Sequence, residues 1–288
     1  MATDYDALTT REVTEFFAAI RTQSVVLRLA NVQRMSAGQE SLPVVSFLPV
    51  AGFTNARFGG RKPATKIEWS AEAVVPREIA CTFAIPRAWV DDAGFDVWGQ
   101  ARPLAADAIA RVLDAAALFG TNAPPEFPPN GVAGAGVPLA GTDALDAIDK
   151  GMAAVEAGGL LPDGIASGTA IGSALRQEYR AQGALPSETP APSIYGLPVV
   201  TTPVWEADEG DAIVADWTKL LVGIREDVTY DTSEDAILQD PAGVIIANAF
   251  QENLVAMRVY MRVGVAVGTP VKPDNTPADA FVAVDWTP

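Results

Sequence analysis

The 288-residue chain contains no histidine. That absence removes the commonest general base, the commonest metal ligand and every triad built on imidazole. Cys81 is the single cysteine, so no intrachain disulfide can form. Around it EIACTFAI alternates like a half-buried strand, which points to a buried, inert thiol. Bases are scarce: 20 Lys and Arg stand against 36 Asp and Glu, a formal charge of −16. Phosphate affinity is built mainly from Lys and Arg, so a nucleic-acid-binding role is disfavoured. A chain this acidic can instead lie beside DNA without holding it. No run of about 18 apolar residues occurs, so no segment reads as a membrane span. The opening MATDYDALTTREVTEFF is polar and charged rather than signal-like, and a soluble cytoplasmic protein is expected.

What the chain does have is hydrophobic substance, 49% of its residues. That is ample for one large domain or two ordinary ones. The few bases are also unevenly spread. Arg57, Arg61, Lys62 and Lys66 fall within ten residues of NARFGGRKPATKIEW, around Phe58, Gly59 and Gly60. RFGGRK is not a phosphate-binding loop, because Lys62 is followed by Pro63 and a strand pattern rather than by Ser/Thr and a helix. GVAGAG (131–136) has dinucleotide-like glycine spacing but follows a proline-rich hinge, so it reads as a flexible loop. The acids of EADEGD (206–211) lack calcium-loop spacing and read as a solvated turn. GIASG has its serine displaced from the nucleophile-elbow position. No catalytic, cofactor-binding or metal-ligating residue emerges, and the expectation is a structural protein without enzymatic activity.

Along the chain, residues 9–22 read as a short amphipathic helix with Val13, Phe16, Phe17 and Ile20 on one face. Such a face needs a partner, and residues 1–40 read as an arm rather than a core element. LPVVSFLPVA (42–51) and KIEWSAEA read as extended, so Gly59-Gly60 sits at the far end of an outgoing and returning excursion. A long helix is expected through FDVWGQARPLAADAIARVLDAAALFG. Its predicted apolar stripe is Leu104, Ala105, Ala108, Ile109, Val112, Leu113, Ala116 and Phe119, with a kink or restart at Pro103. Leu254 to Met261 alternate as a strand, and FVAVDW closes the chain. Long helix plus long antiparallel strands, without a βαβ rhythm, indicates an α+β fold.

Three stretches then resemble, in order, tailed-phage major capsid proteins, those of actinobacterial phages in particular. They are ATKIEWSAEAVVPREIACTFAIPRAWVDDAGFDVWGQARPLAADAIARVLDAAALFGT, IYGLPVVTTPVWEADEGDAIVADWTKLLVGIREDVTYDTSEDA and FQENLVAMRVYMRVGVAVGTP. The resemblance implies the Hong Kong 97-type fold. Residues 1–40 would be an N-terminal arm and 41–80 an extended loop. Residues 81–130 with 236–288 would form a peripheral domain built on a spine helix, and 131–235 an axial domain. It implies a virion protein, assembled in the host cytoplasm into hexamers and pentamers of an icosahedral shell around double-stranded DNA. Portal and separate scaffolding or decoration proteins would be its further partners. The implied inter-subunit contacts are the loop tip (Arg57, Phe58, Gly59, Gly60, Arg61, Lys62, Lys66) and the arm (Val13, Phe16, Phe17, Ile20). Some members link a loop lysine to a neighbour's asparagine. Lys62 and Lys66 are in place, but Arg258–Val267 holds no asparagine and Asn253 and Asn275 are only nearby, so no cross-link is expected. An encapsulin nanocompartment shell, with the same fold and a protein cargo, is the alternative. A metal-dependent enzyme using the acid clusters is the alternative from another class.

Overall fold

The computed structural model describes residues 18–36, 38–49, 51, 53, 64–65, 67–92, 97–134, 137–181, 193–205, 210–240, 242–272 and 274–286. Residues 18–23 are helical, followed by α1 (Val25–Leu29) and β1 (Asn31–Arg34). A hairpin of β2 (Glu40–Phe47) and β3 (Glu68–Val74) leads into β4 (Arg77–Pro86), α2 (Arg87–Asp92) and the long α3 (Val97–Phe119). Next come β5 (Leu139–Ala140), α4 (Ala144–Ala157), β6 (Gly164–Gly168), α5 (Ile171–Ala181), β7 (Ser193–Ile194), β8 (Leu197–Thr202) and β9 (Ala212–Ala215). The chain ends through β10 (Leu220–Ser233), β11 (Ile237–Gln239), β12 (Ile245–Asn248), α6 (Ala249–Glu252), β13 (Leu254–Val267) and β14 (Phe281–Asp285).

Two large sheets organise these elements. One has the order β1-β10-β13-β4, the other β5-β14-β9-β6-β8-β7. In β13 the predicted alternation holds: Val255, Met257, Val259 and Met261 are buried while Arg258 is exposed. That buried face packs on α3 in the main core, which continues into Ala166, Val200, Ile213 and Ala215 from one face of the second sheet. The opposite face of that sheet presents Ile165, Ala212, Val214 and Val284 to Ala147 and Ile148 of α4. Helix and sheet come close there because Gly151 lacks a side chain; a Cβ on it would lie 2.7 Å from Val284 Cγ1.

The strand pairings run across several of the expected boundaries. Residues 18–34, expected as part of the arm, pack on the body of the chain. Ile20, Val25, Val26 and Leu27 are buried in the main core, and β1 pairs in parallel with β10. The physical reason is a buried carboxylate on α3, Asp114. It accepts hydrogen bonds from Ser24 Oγ (2.6 Å), Val25 N (3.0 Å) and Val26 N (3.2 Å), capping α1 from another element. Strands and their pairings also cross the limits drawn at 80 and 235. β4 begins at Arg77 and joins β13, while β10 belongs with β13 rather than with the 131–215 region. β14 crosses the other way and pairs with β9. Helix α3 runs unbroken through Pro103. Of the predicted stripe Ala105, Ile109, Leu113, Ala116 and Phe119 are buried, and the buried face extends to Ala106, Ala110, Asp114 and Ala117, whereas Leu104 (72%) and Val112 (53%) are exposed. The segment that Asp114 holds covers the face that periodicity alone left to solvent.

Candidate assembly surface

The β2–β3 hairpin is the described part of the extended excursion. It pairs antiparallel from Glu40↔Val74 to Val45↔Trp69, with an irregularity before Phe47↔Glu68. The basic tip, Arg57, Phe58, Gly59, Gly60, Arg61, Lys62 and Lys66, lies outside the described residues, as do Val13, Phe16 and Phe17. Ile20, the fourth residue expected to contact a neighbour, is fully buried in its own chain. Its side chain is part of the main core.

Large apolar side chains are nevertheless exposed in groups. Phe53, Ile67 and Trp69 (63%) lie on and beyond the β2–β3 hairpin, with Trp89 on α2. Ile237, Val244, Ile245, Ile246 and Phe250 (78%) lie on or beside the second hairpin, β11–β12, and the helix that follows it. Sequence reasoning missed this second group. The signal was the run VII at 244–246, which reads equally well as a buried strand. Pairing only with β11, in a sheet of two strands, leaves it uncovered.

Around these hairpins, ion pairs tie exposed elements together. Arg77 bonds Glu126 with two donors, Arg258 pairs with Asp231, and Arg87 Nη1 donates to Glu234 at 2.6 Å. Side-chain hydrogen bonds to their carboxylate partners, helped by charge, hold the Arg77 and Arg258 guanidinium groups above their usual range, and the bond from Arg77 pushes the Glu126 carboxyl below its own. All are exposed, and such pairs fix orientation more than they stabilise.

The motifs weighed for chemistry have structural employment. GIASG is the fully buried strand β6, with Ser167 in its interior. Gly131, with φ +59, packs against the backbone of Leu118, and Val132 N and Ala133 N donate to Ala117 O (3.0 Å) and Leu118 O (2.8 Å). The start of GVAGAG thus satisfies the open carbonyls at the end of α3 and is a helix stop rather than a flexible loop. Of EADEGD, Gly210 and Asp211 are described, and Asp211 Oδ2 accepts from Trp286 N at 3.1 Å. No group of three or more His, Cys, Asp or Glu able to hold a metal ion occurs among the described residues. Cys81 is half-buried in β4, where burial pushes its thiol up. Asn275 accepts from Leu48 N at 2.7 Å, and Asn253 ends α6 in the left-handed region with φ 54. No described helix is long and apolar enough to cross a membrane.

Comparison with known proteins gives a consistent picture. No curated protein matches the chain. Among solved structures, it resembles a chain of Microbacterium phage Oxtober96 with 27% identity and a TM-score of 0.74, covering 99% of this chain and 94% of that one. A chain of Mycobacterium phage Bobi superposes with a TM-score of 0.75 at 22% identity, covering 91% and 90%. The capsid of an empty GTA particle gives 0.60 at 17% identity, over 100% and 94%. The fold is therefore the α+β, Hong Kong 97-type fold expected from the sequence. The phage capsid family matches residues 7–271, and the chain belongs to that family.

Proposed function

We infer that this chain is the major capsid protein of a tailed double-stranded DNA bacteriophage, its copies forming the hexamers and pentamers of an icosahedral shell. The observation that carries this reading is where a phage-capsid-family chain keeps its exposed apolar side chains. Two groups of them lie on or beside two separate two-stranded hairpins, apart from others such as Leu104 and Val112 on α3 and Leu139 on β5. Patches of this kind mark surfaces that meet another protein, and two-stranded hairpins gain their order from what they pack on. Many modest contacts closed into a symmetric array add up to a stable shell.

In this reading the four-stranded sheet with α3 is the peripheral domain, and the six-stranded sheet with α4 is the axial domain around capsomer axes. The β2–β3 hairpin is the root of the extended loop, and its basic tip docks on acids of a neighbouring copy. The role is structural and not enzymatic. The shell assembles in the host cytoplasm and becomes part of the virion. It meets a portal, with scaffolding or decoration supplied by separate chains, and it encloses DNA without specific binding. No Lys–Asn cross-link forms, so boiled, reduced virion protein should run as one band and not a ladder.

Negative-stain electron microscopy of the purified chain tests the reading. Uniform shells or capsomers are expected. A chain that stays monomeric across salt and concentration series overturns it. Shells from an infected host that carry protein cargo instead of DNA would favour the nanocompartment alternative.

A further inference from the structure

Gly223 in β10 and Gly264 in β13 are direct cross-strand partners. Neither has a positive φ, so space rather than backbone conformation accounts for glycine at both positions. A Cβ on Gly264 would lie 2.8 Å from Val74 Cγ1 and 2.8 Å from the Val75 carbonyl oxygen. A Cβ on Gly223 would overlap Met35 Sδ and lie 2.8 Å from Met35 Cγ and 2.9 Å from Val74 Cγ1. The two absent side chains thus leave a notch on the sheet face turned away from α3. Val74, fully buried, and Met35, 7% exposed, fill it. With Ala266 and Leu221 they form a small core separate from the main one.

Val74 is the last residue of β3, so the plug is the root of the β2–β3 hairpin. Met35 is itself fixed: its N donates to Ile224 O at 2.8 Å, and Arg225 Nη1 donates to its carbonyl at 3.3 Å. Farther along the hairpin, Leu48 N donates to Asn275 Oδ1 at 2.7 Å. Beside these anchor points lies an open groove of about 560 Å³, lined among others by Val45, Leu48, Lys219, Leu221 and Pro270. The hairpin is therefore held at discrete points and not by continuous packing. Two points define a direction, and turning the hairpin about its root requires Val74 to leave the notch.

We propose that the Gly223–Gly264 notch is a socket that sets the direction in which the β2–β3 hairpin leaves the body, with Asn275 as its outer tether, and that this direction sets the curvature between neighbouring copies. The last step rests on the capsid reading above; the socket does not. Hydrogen exchange on the free full-length chain and electron microscopy of its assemblies test the two parts separately. Gly223→Ala overfills the socket, so exchange over residues 68–74 should quicken about tenfold while residues 105–119 of α3 keep their rates. Its shells should be lost or altered in diameter. Adding Met35→Ala to that variant vacates the space taken by the new methyl and should restore both slow exchange and diameter. If Gly223→Ala does not fold, Met35→Ala alone carries the test, because it empties the socket without a clash and should also quicken exchange at 68–74. Wild-type exchange at 68–74 in both single variants, or no rescue in the double variant, overturns the socket. Quickened exchange with shells of unchanged diameter overturns its control of curvature. A wild-type chain that forms no shells while exchange responds as described sinks the capsid reading and leaves the socket standing.

Discussion

Asp114 shows how much one buried group can organise. Its carboxylate meets only donors: the Ser24 hydroxyl, the Val25 and Val26 amides, and the Thr202 hydroxyl from β8. Burial pushes its carboxyl up while those donors pull it down. Asp114→Ala strands buried donors that cost about 1–3 kcal/mol each, so a loss of about 3 kcal/mol or more is expected in urea unfolding. Asp114→Asn is not conservative here, because its amide NH₂ would face donors; a loss of about 2 kcal/mol is expected. An Asn variant as stable as wild type would show that the cluster contains an acceptor after all. Asp146 makes the opposite case on an exposed surface. Its carboxylate pairs with Lys150 and accepts from Thr142 N (2.8 Å) and Thr142 Oγ1, while Asp143 caps α4 through Asp146 N. Lys150 and Thr142 hold its pKa at about 2, against an ordinary 3.8. A depressed carboxylate pKa stabilises the fold above the unfolded value, and that contribution is lost as pH falls from 3.8 through about 2. The Thr142 amide resonance should therefore titrate with a midpoint near 2. A midpoint at the ordinary value would mean that this network is open.

At the scale of elements, the decisive joint is the turn between the two sheets. Trp217 sits between β9 and β10, fully buried, where the chain leaves one sheet for the other. Its N donates to Asp163 Oδ1 at 2.7 Å, and its Nε1 donates to Gly164 O at 3.0 Å. Its ring meets Phe281 of β14 edge-on at 5.6 Å. One side chain thus clamps β6, β14 and the crossover. Trp217→Ala should cost about 4 kcal/mol and Trp217→Phe, which keeps a ring but abandons the Gly164 carbonyl, about 2 kcal/mol. A Phe variant within experimental error of wild type in urea would remove the indole hydrogen bond from this account. These joints also mark what the sequence could and could not convey. Alternation in β13 and the helical stretch of α3 are local patterns, and both were legible. The membership of 18–34 in the core depends on Ser24 meeting a residue 90 positions away, and the crossing of β14 depends on pairing with β9. Neither leaves a local period. The exposed hairpin β11–β12 was hidden for the same reason: burial of Ile245 or Ile246 is decided by whether another strand covers them, not by their own hydrophobicity.

For the whole molecule, charge sets two opposing requirements on assembly. Each copy carries −16, so bodies brought side by side repel. Against this stand the four bases at Arg57, Arg61, Lys62 and Lys66, a fifth of the 20 in the chain, gathered on the segment proposed to reach a neighbour. The two interactions act over different distances. Repulsion between bodies spans tens of Å, and it is felt when the Debye length is about 30 Å at 0.01 M salt but largely screened when that length is about 8 Å at 0.15 M. Docked ion pairs sit at about 4 Å and weaken only as the screening length approaches about 3 Å, near 1 M. Shell yield by light scattering should therefore rise from 0.01 to about 0.15 M sodium chloride and fall again towards about 1 M. Arg61→Glu with Lys62→Glu removes the attractive arm and leaves the repulsive one slightly larger. That variant should fold with unchanged urea stability and assemble poorly at about 0.15 M, and its remaining yield should rise with salt without the later fall. A wild-type yield that climbs steadily to about 1 M would show that the basic tip does not hold copies together by charge. A yield already highest at about 0.01 M would show that the acidic bodies do not oppose their own assembly.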